Sequence, residues 1–199
     1  MRSLIFLLLL SFNATAALYD RGNGLIYDDV LDITWLQDAN YAQTSGYDSD
    51  GRMNWEDGKL WVEGLVYNGH TEWRLPSISL GSGGELKSLF YDSLECPSMG
   101  DQNSLATNCN INYSLFQNLQ PYDYKYFETT NGWDYVLRGA LFSFGNGQQY
   151  PDYYPTYFET FTWPVHDGDI GNPVPLPAGI YLFLSGLVGL GLMRGRRSQ

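Results

Sequence analysis

The first signal of the fold is residues 25–36, LIYDDVLDITWL. Leu25 to Tyr27 and Ile33 to Leu36 are apolar runs of strand length, and the aspartates between them favour a bend. This segment predicts two short strands near the front of the domain.

Two helices are predicted downstream of these strands. Asn54 fits an N-cap, Gly64 is placed to end the same helix, and residues 82–85, SGGE, fit a capping box for the second. Apolar residues at helical spacing give each helix one buried stripe. These are Trp55, Leu60, Trp61 and Leu65 in the first helix and Leu86, Leu89, Phe90 and Leu94 in the second.

The back half of the chain has the composition of strands. Residues 124–129, 135–144 and 158–165 are rich in aromatic and β-branched residues, and Asn146 with Gly147 predicts a tight turn. Phe161, Trp163 and Val165 alternate, which predicts one face of a strand, and Pro164 argues for an edge or a bulge. Two helices followed by antiparallel strands predict an α+β fold.

Residues 1–17 have the pattern of a signal peptide. Arg2 precedes an apolar run from Leu4 to Phe12, and residues 14–16, ATA, form an A-x-A cleavage site. A retained N-terminal helix is the alternative, but the apolar run is too short to span a membrane. The domain is therefore predicted to begin at Leu18 and to be exported.

The C-terminal 26 residues, 174–199, consist of a motif, an apolar segment and a basic end. The motif is Val174, Pro175, Leu176, Pro177, Ala178 and Gly179. Residues 178–193 would form a transmembrane helix of about 24 Å, and the arginines after it would stay on the cytoplasmic side. The segment is either a plain anchor or a sorting signal that is cut. The domain is predicted to occupy residues 18–166, with a linker at 167–173.

Composition restricts the function. The chain has a formal net charge of −11, and a surface of this sign repels phosphate backbones, so nucleic acid is not a predicted partner. In an exported protein the two cysteines, Cys96 and Cys109, are expected to form a disulfide. The 16 tyrosines suit either a binding surface or ordinary strand faces.

The C-terminal segment resembles the tripartite sorting signal of the PEP-CTERM class, in its VPLPA variant. The resemblance implies that a membrane-embedded exosortase processes the protein. It also implies association with exopolysaccharide production. We therefore expect export through the inner membrane, followed by membrane anchoring or display at the cell surface.

A second set of motifs is spread along the mature chain, and its most distinctive piece is Trp73, Arg74, Leu75 and Pro76. The other segments are 32–36 (DITWL), 38–42 (DANYA), 51–55 (GRMNW), 89–91 (LFY), 116–119 (FQNL), 144–148 (FGNGQ) and 163–165 (WPV). With these segments, nearly all of the mature chain resembles the Lcl C-terminal domain, a domain of unknown function. The resemblance implies a compact C-type-lectin-like fold related to formylglycine-generating enzymes. Some relatives bind sulfated or other polysaccharides.

The residues themselves suggest little catalytic chemistry. Arg74 is expected to be structural, fixed by a carboxylate and backbone carbonyls. Asp48, Asp50 and Asp57 could form a calcium site, although a solvated turn is the simpler interpretation and the EF-hand pattern is absent. No other cofactor is expected. His70 and His166 are the only histidines, and neither lies in a motif for zinc or nucleophilic catalysis.

Three functions remain open. The first is a non-enzymatic binding domain for extracellular polysaccharide, whose aromatic stretch could stack on sugars. The residues of that stretch are Tyr150, Asp152, Tyr153, Tyr154 and Tyr157; packing within the fold is the alternative role. The second is a structural matrix protein without a small ligand, and the third is an enzyme of unknown activity.

Overall fold

Eleven strands and three short α-helices are built from the residues that the computed structural model describes, namely 17–79, 83–97, 108–120, 126–130, 140–150 and 158–171. The strands are β1 (Leu18–Gly22), β2 (Leu25–Asp28), β3 (Ile33–Leu36), β4 (Arg52–Met53), β5 (Ser77–Ser79), β6 (Gly83–Gly84), β7 (Tyr126–Thr130), β8 (Ala140–Phe142), β9 (Gln149–Tyr150), β10 (Thr160–Phe161) and β11 (Val165–Asp167). The α-helices are α1 (Tyr41–Thr44), α2 (Trp55–Glu63) and α3 (Glu85–Ser88). A π-helix, Leu89–Ser93, continues α3, and Ile111–Leu115 is a 3₁₀-helix.

The first sheet joins the two ends of the domain. Its order is β1-β2-β3-β11, with antiparallel pairing throughout. The predicted strands at 25–27 and 33–36 are confirmed as β2 and β3, where Ile26 faces Trp35 in register. The last strand therefore completes a sheet that the first three begin.

The second sheet is organised around β7, which pairs with three strands. It is antiparallel to β8 and parallel to β5 and β10, while β4, β6 and β9 extend the sheet further. The predicted turn at Asn146 and Gly147 is confirmed between β8 and β9, where Gly147 N donates to Ser143 O at 2.9 Å. The fold is thus α+β with mainly antiparallel strands.

Helix α2 begins as predicted. The side chain of Asn54 accepts a hydrogen bond from Asp57 N at 2.9 Å, and Gly64 is the C-cap. The apolar stripe predicted for this helix is wrong at Leu60, which is 63% exposed, while Val62 is buried in its place. The buried residues of α2 lie on the side of the helix that packs against the second sheet. Gly58 is on this side and lies close to Thr162.

The second predicted helix exists as α3 and the π-helix, but its start differs from the prediction. Its N-cap is Gly84, two residues after the predicted position at Ser82, which itself lies outside the described residues. Glu85 binds Arg74 instead of reaching back to a cap. The predicted apolar stripe is confirmed, because Leu86, Leu89, Phe90 and Leu94 are all fully buried.

Trp163 connects the two sheets. It is fully buried, and its Nε1 donates to Leu36 O of the first sheet at 2.7 Å. Its ring centre lies 5.1 Å from that of Trp35, 5.3 Å from that of Tyr126 and 5.5 Å from that of Phe144. The core is therefore one aromatic cluster shared by both sheets.

The single strand predicted around Phe161, Trp163 and Val165 is wrong. The chain leaves the second sheet after β10 and enters the first at β11, so these residues do not share one strand face. Pro164 lies at the crossing between the sheets, where the chain needs no ladder donor. All residues from 160 to 165 are buried because both sheets cover them.

The linker predicted to begin at residue 167 is also corrected. Asp167 belongs to β11, Gly168 N donates to Asp32 O at 2.8 Å, and Asp169 forms an ion pair with Arg21 at 2.7 Å. Hydrogen bonds to Thr34 hold this segment further. The domain therefore continues beyond the predicted boundary at 166, as far as Gly171 of the described chain.

The predicted signal peptide lies almost wholly outside the described residues, as does the predicted sorting segment at 174–199 with its helix at 178–193. In the portion of the chain that is described, no helix has the length and apolar character needed to cross a membrane.

Candidate functional site

A cleft of about 520 Å³ lies beside helix α3, and we call it the α3 cleft. Polar side chains reach it from one face of the helix, because positions 85, 88, 91 and 92 recur every three or four residues. The opposite face carries the buried leucines. The side chains that line the cleft include Ser77, Glu85, Lys87, Ser88, Tyr91 and Asp92.

Tyr91 is the aromatic group of the α3 cleft. Its ring is half-buried, and its hydroxyl donates to Gly147 O at 3.1 Å. Phe90 packs edge-on against the same ring with centres 4.9 Å apart. Burial raises the pKa of the Tyr91 hydroxyl, so the group remains an uncharged donor at neutral pH. Ser88 Oγ donates to Asp92 Oδ2 at 2.8 Å beside it.

Arg74 fixes one wall of the α3 cleft. Its Nη1 and Nη2 donate to the two carboxylate oxygens of Glu85 at 2.8 Å each, and Nη2 also donates to Asp167 at 2.6 Å. Burial disfavours the charged guanidinium, but the hydrogen bonds to both carboxylates outweigh it and raise the pKa of Arg74. Ser77 N donates to Glu85 Oε2 at 2.7 Å.

The contacts predicted for Arg74 are present: two carboxylates and the carbonyl of Leu75 hold its guanidinium. The rest of the Trp73–Pro76 segment is packed. Trp73 and Leu75 are buried in the core, and Pro76 O accepts from Thr129 N at 2.7 Å. This segment therefore joins α3, β7 and β11.

Behind the α3 cleft lies a buried carboxyl group, Glu128 of β7. Its Oε2 accepts from Gln149 Nε2 at 3.0 Å, while its Oε1 lacks a hydrogen-bond partner within the described part of the chain. Gly84 separates it from the cleft, and a Cβ at Gly84 would lie 2.5 Å from Glu128 Oε1. Only glycine fits between them. Burial raises the pKa of Glu128 to about 8, and nearby Glu85 contributes in the same direction.

The predicted tyrosine stretch is described only at its first member. Tyr150 lies in β9, half-buried, and its hydroxyl donates to Gln148 Oε1 at 2.8 Å. The other predicted members, Asp152, Tyr153, Tyr154 and Tyr157, lie outside the described residues.

The three aspartates proposed for calcium do not form a metal cluster. Asp48 Oδ1 accepts from Asp50 N at 3.0 Å and from Gly51 N at 2.8 Å, and these backbone bonds, Asp50 first, lower the pKa of Asp48. Asp57 Oδ2 accepts from the cap residue Asn54. Across the described segments, no group of three or more His, Cys, Asp or Glu side chains is arranged to hold a metal ion.

The predicted disulfide is confirmed between Cys96 and Cys109. It links the end of the π-helix to the start of the 3₁₀-helix. Asn110 reinforces the same junction, because its backbone N donates to Leu94 O at 2.8 Å and its side chain donates to Ser93 O at 3.1 Å. The cysteines therefore form a structural link.

Comparison with protein-family models, with curated proteins and with solved structures finds no match for this chain. Its function is therefore inferred from the geometry of its own residues.

Several residues of the site were not singled out from the sequence. Ser88, Tyr91 and Asp92 had a usable signal, since they occupy the polar face of a helix whose apolar face was recognised. Glu128 also had a usable signal, because it is the one acidic residue in the strand sequence YFETT at 126–130. No local pattern brings His70 and His166 together, yet their ring centres lie 6.2 Å apart.

Proposed function

We propose that this protein is an exported, surface-displayed domain that binds extracellular polysaccharide in the α3 cleft without catalysing a reaction. The observation that carries the proposal is the half-buried ring of Tyr91 beside the hydroxyl of Ser88 and the carboxylate of Asp92. Apolar pocket walls with a few fixed polar groups are typical of ligand sites.

The chemistry of the cleft suits a sugar ring. The C–H face of a sugar packs on an aromatic face, and its hydroxyls need acceptors and donors at the edge. Tyr91 is held in position by Phe90 and by its bond to Gly147. Asp92 and Ser88 offer an acceptor and a hydroxyl next to it. These groups would fix the orientation of a bound sugar.

The charge of the cleft favours an uncharged polysaccharide over a sulfated or uronic one. Glu85 is already paired with Arg74. Asp92 contributes a carboxylate to the lining and Lys87 an ammonium group, so the described lining has no net positive charge to offer an anion. The whole chain carries a formal net charge of −11. An anionic polymer would be repelled by this field, whereas a neutral one would not. The stretch Tyr150, Asp152, Tyr153, Tyr154 and Tyr157 is proposed as a second contact for a longer chain.

Export is supported by the disulfide, and a contact of Ala17 is compatible with the predicted cleavage. Disulfides persist in oxidising compartments. The backbone nitrogen of Ala17 donates to Asp29 Oδ1 at 2.9 Å. Cleavage after Ala16 would make this nitrogen an ammonium group beside the same carboxylate, forming an exposed ion pair worth at most about 1 kcal/mol.

We also propose that residues 174–199 are a PEP-CTERM sorting signal of the VPLPA variant, processed by an exosortase after its helix enters the membrane. We further propose that the domain belongs to the Lcl family and has a C-type-lectin-like fold. The α+β architecture, with the first and last strands in one sheet, supports it.

Retention on a glycan array tests the binding proposal. The exported protein should be retained by at least one neutral polysaccharide, and Tyr91→Ala should weaken binding by roughly tenfold, because a stacking ring contributes on the order of 1 kcal/mol or more. Tyr47→Ala is the matched control, since Tyr47 is 62% exposed and does not line the cleft. Retention on no glycan, or equal loss in both variants, would contradict the proposal.

Intact mass spectrometry of the exported form tests the sorting proposal. We expect an amino end at Ala17 or Leu18 and a carboxyl end within or before residues 174–179. A product that still ends at Gln199 would show that the segment is a retained anchor.

A further inference from the structure

The two histidines of this chain, His70 and His166, lie side by side although they are far apart in the sequence. Their ring centres are 6.2 Å apart and their planes meet at 75°. Both residues are half-buried. Neither lines the α3 cleft, so polysaccharide binding gives them no role.

Each histidine is carried by backbone that is held in place. His70 and Tyr67 exchange hydrogen bonds of 2.9 and 3.0 Å across a tight turn, and His70 O accepts from Trp73 Nε1 at 3.1 Å. His166 lies in β11, where it pairs in register with Thr34. Two separate, ordered segments therefore present the two rings to each other.

The ring of His166 is oriented as in metal-binding histidines. Its Nδ1 lies 2.6 Å from the carbonyl oxygen of Asp167. A neutral imidazole donates its Nδ1 proton there and leaves the Nε2 lone pair free, which is the usual arrangement of a histidine ligand. Trp73 packs edge-on against the ring at 5.5 Å and restricts its rotation.

The separation of the rings fits a single bound ion. With metal–nitrogen bonds of about 2.1 Å and about 1.1 Å from each nitrogen to its ring centre, two imidazoles on one ion have centres up to about 6.4 Å apart. This limit applies to ligands on opposite sides of the ion, and the observed 6.2 Å corresponds to an N–metal–N angle of about 150°. A tetrahedral ion would place the ring centres about 5.2 Å apart, so tetrahedral Zn²⁺ requires the two rings to move about 1 Å closer, whereas Ni²⁺ and Cu²⁺ accept the wider angle. Imidazole nitrogens suit zinc, nickel and copper, whereas calcium and magnesium prefer oxygen.

We propose that His70 and His166 together bind one divalent transition-metal ion, Zn²⁺, Ni²⁺ or Cu²⁺, with water completing its coordination. The ion ties the turn at residues 67–70 to β11, the last strand of the first sheet. Because it binds only when both segments are folded together, it stabilises the C-terminal end of the domain.

Zinc titration of the exported protein, prepared without a histidine tag, tests the site. The chain has 2 histidines, so every imidazole signal in an NMR spectrum reports on this pair. We expect one Zn²⁺ per chain by calorimetry, shifts of both imidazole signals and a rise in the unfolding midpoint. A shift of one signal alone, or binding of two ions, would overturn the proposal.

Substitutions separate a shared site from independent surface binding. His70→Gln and His166→Gln should each weaken zinc binding at least tenfold and abolish the rise in the unfolding midpoint. The loss of affinity in the double variant should be smaller than the sum of the two single losses, because one ion uses both ligands. The metal-free variants should unfold at the wild-type midpoint. Glu56→Gln, at an exposed carboxylate outside the pair, is the matched control and should bind like wild type.

Competition separates the histidines from the acidic surface. Excess Ca²⁺ or Mg²⁺ should leave zinc binding unchanged. Displacement of Zn²⁺ by Ca²⁺, or wild-type affinity in either single histidine variant, would show that carboxylates hold the ion and would overturn the proposal.

Discussion

At the scale of the residue, Glu128 determines a property of the whole domain. Its side chain is fully buried next to Gln149, and burial raises its pKa to about 8, with a smaller contribution from Glu85. The unfolded chain releases this proton near pH 4.5, the ordinary value. The folded state thus binds more protons between these values, so the free energy of unfolding falls as the pH rises from about 4.5 to about 8.

Glu128→Gln should remove most of this pH dependence. The amide cannot ionise and still accepts from Gln149, so the variant should be more stable than wild type at pH 8 by up to about 4 kcal/mol and similar at pH 4. Urea unfolding at several pH values measures this. Some slope should remain from Asp28, whose pKa burial also raises. Glu56→Gln, at an exposed position of α2, is the control. Parallel profiles for wild type and Glu128→Gln would contradict the prediction.

At the scale of the element, the disulfide closes the loop between the π-helix and the 3₁₀-helix. The cysteines are 13 positions apart in sequence, and a loop of this size is stabilised by about 3 kcal/mol through the entropy of the unfolded chain. Replacing both Cys96 and Cys109 with serine should therefore lower the free energy of unfolding by about that amount.

Denaturant unfolding under oxidising and reducing conditions checks this value. Reduced wild type should match the double serine variant, and the reductant should not affect the variant. If the reduced wild type and the double serine variant were both as stable as oxidised wild type, the hydrogen bonds from Asn110 to Ser93 and Leu94 would already fix the junction between the two helices.

At the scale of the whole molecule, we expect Trp163 to make the two sheets unfold together. Its ring contacts Trp35 of the first sheet and Tyr126 of the second, and its Nε1 bonds to Leu36 O. Trp163→Phe should lower the free energy of unfolding by about 3 kcal/mol through the lost hydrogen bond and the cavity. Trp55→Phe, on the half-buried face of α2, should change it by much less.

Far-UV and near-UV circular dichroism during urea unfolding measure this effect. Both probes should report one coincident transition in wild type. Two separate transitions, or a loss below about 1 kcal/mol in Trp163→Phe, would mean that the sheets are energetically independent.

Local patterns account for the elements that were predicted correctly. Strands β2 and β3 follow from short apolar runs, the cap of α2 from Asn54, and the buried stripe of α3 from the spacing of its leucines. Each of these depends on residues a few positions apart. The local predictions fail where contacts with distant segments decide the outcome. Leu60 is exposed although its spacing fits the apolar stripe of α2, and Glu85 binds Arg74 although its position fits a capping box.

The sequence by itself determined the α+β class, the acidic charge and the pairing of the cysteines. These follow from composition and from the spacing of residues that are close together in the chain. Only the tertiary structure decided that residues 165–167 return to the first sheet, that Glu128 lies behind the α3 cleft and that His70 meets His166. These arrangements depend on contacts between residues far apart in the chain. No local pattern encodes such contacts, because each exists only once both sheets have packed around their shared core.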